Sequence, residues 1–359
     1  MERIKMVKYM KKIAVLGYGT VGSGVVELFD KNKDLIEKKI GQKIEVKYIL
    51  DIRDFSNDKY ADKHIKDFEI ILNDSEIEIV AEVIGGATVA YEFTKKLLER
   101  GKSVVTSNKE LVAKKGPELL EIAKKNNVKY LFEASVGGGI PVIHPMLNCL
   151  CANEINEIVG ILNGTTNYIL TKMIKENRTF EDALKTAQEL GYAESNPAAD
   201  IQGHDACRKI SILASLALGE HINPEKIYTN GIENITLDDV EKAEKQGYVI
   251  KLLGYYKKVS NEEVEIFVSP CAIKKEHLLA NVEDVFNEII INGDTTGEVA
   301  FYGKGAGKFP TASAVCSDII ECTKNAINPI INNECHKKIK EFNEIKFEYI
   351  KGTNIPILK

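Results

Sequence analysis

The sequence predicts an α/β protein: a parallel sheet with helices on both faces, followed by a second domain of α+β character. Three observations point there. Short β-branched runs alternate with helical patterns over the first half. The first of these runs ends in a cluster of glycines that opens a helix. The middle of the chain mixes long helical stretches with strand-like segments. Strand–helix alternation of this kind builds a parallel sheet.

KIAVL (12–16) reads as a buried strand, followed by glycines and an amphipathic VVELF. IEVKYILDI, EIEIVAEVI and KSVVTS follow as strands, the later ones separated by helical patterns such as YEFTKKLLER. VKYLFEASV (128–136) reads as the next strand and runs into GGGIP. Beyond it, TNYILTKMIKE, TFEDALKTAQEL and DACRKISILASLAL are helical. INEIVGILN, YVIKLLGYYKKV and VEIFVSP are strand-like. FYGKGAGKFPTASAVCSDIIECTK is glycine-rich and then helical. No repeat, low-complexity tract or flexible linker separates these parts.

At 359 residues the chain has room for about two domains. A net charge of -5 and a pI near 5.9 argue against general nucleic-acid binding, which needs a basic surface. No apolar run is long enough to span a bilayer. The seven cysteines are scattered, without a CxxC pair, which disfavours a disulfide framework or structural zinc. A reducing, cytoplasmic setting is expected. The basic opening MERIKMVKYMKK leads into a strand rather than a signal-peptide core, and Met10 is an alternative start.

Gly17-Tyr18-Gly19-Thr20-Val21-Gly22 is a GxGxxG loop between a strand and a helix. Its glycines permit the tight turn, the approach to a pyrophosphate and close helix–strand packing. The helix N-terminus adds free N–H groups and a partial positive charge. A Rossmann-type dinucleotide-binding domain is expected. The second strand ends in Asp51-Ile52-Arg53-Asp54. An acid there suits the ribose of NAD, and Arg53 suits the 2′-phosphate of NADP. NADP is the reading adopted, with NAD as the alternative.

Ligands of such sheets bind beyond the carboxyl ends of the strands. EVIGG (82–86, including Gly85), TSNK (106–109, ending in Lys109) and FEASVGGGIP (132–141) lie at three such ends. Glu133 in an apolar strand needs a donor or a cation. Carbonyls of the following glycine turn offer oxygen ligands for a metal ion.

GYAESNPAADIQGHDACRK (191–209) gathers Glu194, Asp200, Asp205 and Lys209 just before an apolar helix. Asp205 and Lys209 lie one helical turn apart on a single face, which Leu213 and Leu216 continue. A lysine in a partly dry pocket can stabilise a developing oxyanion and supply its proton. The same pair also fits a structural ion pair that only fixes the helix.

LNGTTNYI (162–169), the GYAE…D…GxDaxxK pattern and TSNKELVA together resemble homoserine dehydrogenase. EVIGG, EASVGGGIP and GAG…PTASAV agree in the same order, so the resemblance covers the chain from about Lys11 to Asp318. It implies reversible, NAD(P)H-dependent reduction of L-aspartate 4-semialdehyde to L-homoserine. It implies Lys209 as the acid/base, with Lys109 and Asp205 beside it, and substrate contacts from Glu194, Asp200, Asp205, Tyr192, Thr165 and Gly164. Cofactor contacts are implied at Gly17, Gly19, Thr20, Val21, Gly22, Arg53, Gly85, Lys109, Gly191 and Gly305. A monovalent cation, usually sodium, is implied at Glu133 with Val136, Gly138 and Ile140, and so is a homodimer formed through the second domain. INEIVGILN is the segment expected to pair across that interface. Lys304 and Lys308 stand where the family often has small or apolar residues. The expected domains are 1–138 completed by 299–324, then 139–298, then a tail, 325–359. The tail is too short for the regulatory ACT domain of many members, so a remnant or packing arm is expected, without allosteric inhibition by threonine. The alternatives are a related oxidoreductase acting on another amino-acid aldehyde, and a catalytically silent NAD(P)-binding sensor.

Overall fold

The computed structural model describes residues 10–324 and 327–358. The basic lead-in ahead of Met10 lies outside the described residues. The chain forms two units: Met1–Gly139 with Gly307–Ile330, and Ile140–Ala306 with Ile331–Lys359.

Unit one is built on six parallel strands: β1 (Met10–Leu16), β2 (Lys43–Leu50), β3 (His64–Ile65), β4 (Ile77–Glu82), β5 (Ser103–Thr106) and β6 (Tyr130–Leu131). Their spatial order is β3-β2-β1-β4-β5-β6. The order reverses between β1 and β4, the switch point at which such sheets bind ligands. Ile13, Ala14, Val15 and Leu16 are all buried, as expected of a strand covered on both faces. The helices are α1 (Thr20–Lys31), α2 (Lys33–Ile40), α3 (Phe68–Asn73), α4 (Thr88–Glu99) and α5 (Lys109–Lys125). A late helix, Lys308–Cys322, packs on α1 and adds Ala312, Val315 and Ile319 to the core of Val25, Val26 and Phe29. Gly24 permits this approach: a Cβ there would lie 3.0 Å from that of Ala312.

Two expectations change here. The strand read over 128–136 is only Tyr130–Leu131, and Glu133–Ser135 is a 3-10 turn. β6 lies at the edge of the sheet, where its ladder with β5 spans two residue pairs and stops after Leu131, among the described residues. The segment 299–306 does not join the nucleotide unit. Its strand, Gly297–Lys304, pairs antiparallel with Phe286–Gly293, and the chain rejoins unit one only at Gly307.

Unit two centres on β7 (Ile155–Ile161), followed by α6 (Gly164–Glu176), α7 (Phe180–Glu189), α8 (Ala198–Ile201) and α9 (His204–Leu218). β7 lies between Phe286–Gly293 and Tyr248–Lys258, and Gly160 is paired on both sides, with Ile289 and Gly254. β7 is therefore an interior strand. The expectation that 155–163 pairs across a subunit interface is corrected, because both of its edges are already used. Beyond Tyr248–Lys258 comes Glu263–Lys274, and the tail docks on that strand. Lys338–Ile339 pairs at one end of it and Ile357 at the other. Phe342 stacks on Tyr228 at 4.0 Å and packs edge-on to Phe267, while Phe347 meets Phe267 at 5.5 Å. This aromatic contact accounts for the tail's packing.

Candidate active site

The nucleotide end of unit one begins where β1 stops. Gly17 has φ +95, a left-handed conformation that favours glycine. A Cβ at Gly22 would fall 1.9 Å from the Gly17 carbonyl oxygen, so the turn and the helix meet only through glycine. Gly19 differs, since a Cβ there would meet nothing within 4 Å. Gly19 also caps α1, which has no side-chain cap and no acid in its first turn. Its N–H groups and partial positive charge suit an anion. A dinucleotide pyrophosphate fits this cradle. Thr20 and Val21 form the first turn of α1.

The end of β2 holds Asp51 and Arg53 together. Arg53 donates from Nε and Nη2 to Asp51 at 3.0 and 2.8 Å, and the Tyr18 N–H donates to the same carboxylate at 2.8 Å. The guanidinium holds the Asp51 carboxyl well below the usual range, so it is anionic. Arg53 lies over the Phe55 ring at 5.1 Å and is 57% exposed, so its outer edge faces solvent.

The ends of β4 and β5 carry a network that was not singled out from the sequence. Glu82 is wholly buried. One of its oxygens accepts from the Thr106 hydroxyl at 2.6 Å, the other from the Ile84 N–H at 2.7 Å. Burial raises its carboxyl to about 7. Thr106 Oγ1 accepts from the Asn108 N–H at 2.9 Å. Asn108 caps α5 and donates to the Gly86 carbonyl at 2.6 Å. This chain of bonds fixes the Gly85–Gly86 turn against the first turn of α5, where Lys109 stands. A cation at a helix N-terminus opposes the helix dipole, so helix stability does not explain Lys109.

In unit two, α9 begins after Gly203, whose φ is +84. Asp205 and Lys209 are both buried and make an i,i+4 contact of 2.8 Å. Lys209 Nζ also donates to the Leu162 carbonyl at 2.7 Å. Asn163 donates to Asp200 at 2.7 Å and to Asp205 at 2.9 Å. Asp200, Asp205 and Lys209 are thus brought together, with Asn163 bridging the two acids and Asp205 holding Lys209. Asn163 was missed in the sequence, although an asparagine between a strand and GTTNYI is a helix-cap signal. Thr165 Oγ1 donates to the Tyr192 carbonyl at 2.7 Å, tying α6 to the 191–194 turn. The Tyr192 ring lies 5.1 Å from that of Tyr168. Gly164 passes close to Val285, whose oxygen a Cβ would meet at 2.8 Å. Gly191 has φ +74 and follows α7. The Glu194 side chain is exposed.

Behind α6, Asn167 donates to the carbonyls of Val282, Asp284 and Phe286. Lys251 donates to Asn167 and Val282, and burial pulls its ammonium down to about 8. Gly305 packs on Asn287 in the same unit, and Lys308 in unit one pairs with Glu27 at 2.7 Å. Glu133 is buried, and its N–H donates to Asp318 at 2.9 Å. Gly138, beyond it, has φ +55.

Residues 17–133 match the family model described as homoserine dehydrogenase, NAD binding domain. Residues 141–320 match the model described as homoserine dehydrogenase. The homoserine dehydrogenase of Helicobacter pylori is 44% identical over 346 residues, which are 95% of this chain and 81% of that protein. The crystal structure of a homoserine dehydrogenase from Thiobacillus denitrificans superposes with a TM-score of 0.84 at 40% identity, covering 88% of this chain and 73% of that one. A hyperthermophilic archaeal homoserine dehydrogenase in complex with NADPH gives 0.76 at 29% identity, covering 89% of this chain and 100% of that one.

Proposed function

The chain belongs to the homoserine dehydrogenase family of NAD(P)-dependent oxidoreductases, and from that premise we propose that it interconverts L-aspartate 4-semialdehyde and L-homoserine with Lys209 as the acid/base. The observation that carries this reading is the buried Asp205–Lys209 pair, pinned from its other side by the Leu162 carbonyl. Reduction of an aldehyde puts negative charge on its oxygen. The Lys209 ammonium stabilises that charge and delivers a proton to it. In reverse, the neutral amine takes the proton of the substrate hydroxyl. Asp205 and the Leu162 carbonyl fix the direction of the lysine head through both steps. Asp200, Asp205 and Glu194 bind the substrate's ammonium group, with Tyr192, Thr165 and Gly164 alongside. Lys109 is the second lysine that the family resemblance implies for catalysis.

The bound dinucleotide supplies the hydride. Gly17, Gly19, Thr20, Val21 and Gly22 would hold its pyrophosphate, and Gly85, Lys109, Gly191 and Gly305 are the further contacts that the family resemblance implies. The exposed outer edge of the Arg53 guanidinium would receive the 2′-phosphate of NADP, while its inner edge stays paired with Asp51. The NADPH bound by the archaeal relative supports that choice. Glu133 and the carbonyls of Val136, Gly138 and Ile140 would supply only oxygen donors, the chemistry that suits a hard cation such as sodium. A homodimer in the cytoplasm completes the proposal.

The test is spectrophotometric. Purified protein is mixed with L-homoserine and NADP⁺ or NAD⁺, and reduced nicotinamide is followed by absorbance. A catalytically silent sensor would bind cofactor and give no signal.

A further inference from the structure

Asn163 ends the segment after β7 and caps α6. Its Oδ1 accepts from the Thr166 N–H at 2.9 Å and from the Thr166 hydroxyl at 3.1 Å. That fixes which way the amide faces. Its Nδ2 therefore points at the acids, with one bond to Asp200 Oδ1 and one to Asp205 Oδ2. An amide NH₂ has two donors, and here each acid receives one. Asn163 is itself buried; its bond to Asp205 is buried and its bond to Asp200 is half-buried.

Capping alone does not call for asparagine at this place. Aspartate and serine cap helices comparably well. Aspartate would add a third carboxylate beside the other two, and like charges drive carboxylates to hold protons. Serine would supply one hydroxyl in place of two N–H donors. Asparagine gives each acid a bond without adding charge. The two acids come from separate elements, Asp200 from the short α8 and Asp205 from the first turn of α9. A shared donor fixes their separation.

We propose that Asn163 is a positioning residue, whose side-chain amide holds Asp200 and Asp205 in the paired arrangement that receives the ammonium group of the amino-acid substrate. The proposal rests on the reading that these acids bind that group.

Asn163→Ser and Asn163→Asp test it, with Asp200→Asn measured beside them. Homoserine is varied at saturating NADP⁺, and NADP⁺ dissociation is measured separately by fluorescence. In both Asn163 variants KM for homoserine rises at least about tenfold, the loss expected for a hydrogen bond to a charged group. In both, kcat changes less than KM, and the NADP⁺ dissociation constant is unchanged. A role confined to capping gives wild-type KM in both variants, and that result overturns the proposal. If Asn163→Asp does not fold, Asn163→Ser alone decides. Unchanged KM in Asp200→Asn removes the reading of the acids, and the proposal with it. A raised KM in Asp200→Asn with wild-type KM in Asn163→Ser removes Asn163 alone.

Discussion

Glu82→Gln should make the protein more resistant to unfolding at alkaline pH while leaving it nearly unchanged in mild acid. Glu82 is wholly buried, and burial lifts its carboxyl from 4.5 to about 7. The folded state therefore holds a proton that the unfolded state has already released. Stability from this group is fully present below pH 4.5 and is lost as pH rises through about 7. At roughly 1.4 kcal/mol per unit, the whole loss is about 3 kcal/mol. Between about pH 5 and about pH 8 the part released is roughly 2.5 kcal/mol. Glutamine copies the neutral form: its oxygen accepts from Ile84 N–H, and its NH₂ faces Thr106. Urea unfolding of both proteins, followed by circular dichroism across this range, reads the difference directly. Every other titrating group cancels in the subtraction. The stability gap should open in favour of the glutamine variant as pH rises. A gap that stays constant would show that Glu82 titrates as an ordinary surface acid.

Lys209→Met should lower kcat by roughly 10² to 10⁴ while leaving cofactor binding intact; retention of most of the turnover would remove Lys209 from proton transfer. Arg53→Ala should weaken NADP relative to NAD by roughly tenfold, as expected on losing a bond to a charged phosphate. Equal losses for the two cofactors in a binding titration would place Arg53 away from the 2′-phosphate. Gly22→Ala sets a methyl 1.9 Å from a carbonyl oxygen and should lower the thermal midpoint, whereas Gly19→Ala meets no atom within 4 Å and should weaken cofactor binding with little change in melting. Comparable melting of the two variants would contradict this division between packing glycine and ligand glycine.

The parallel sheet was legible because buried parallel strands are continuous apolar runs, as Ile13–Leu16 illustrates. The length of β6 was not. VKYLFEASV is largely apolar, but only Tyr130 and Leu131 pair with β5, opposite Val104 and Val105, and that limit lies in a neighbour distant in sequence. The place of β7 was hidden for the same reason, since a strand's apolar pattern does not say which of its edges is used. Asp205 and Lys209 could be read because helical spacing puts residues four apart on one face. Asn163 and Glu82 escaped because their importance lies in partners about 40 and 24 residues away. Neither residue type advertises chemistry by itself. Glu82 did leave one trace, a carboxylate inside an apolar strand, which burial forbids without partners.

The return of the chain at Gly307 bears on the order of events during synthesis. The late helix Lys308–Cys322 lies against α1 and supplies Ala312, Val315 and Ile319 to the core of the nucleotide-binding unit. A nascent chain that has emerged only as far as Gly139 has all six parallel strands but not that helix. Val25, Val26 and Phe29 then lack part of their cover. At ribosomal speeds, the helix follows roughly 10–30 s later, after the whole insert 140–306 has been made. The first unit thus waits on the second, and that interval is when its apolar face is open to chaperones or to misassociation with other chains. A fragment ending at Gly139 should behave like that arrested intermediate, aggregating unless the peptide 307–330 is added in trans.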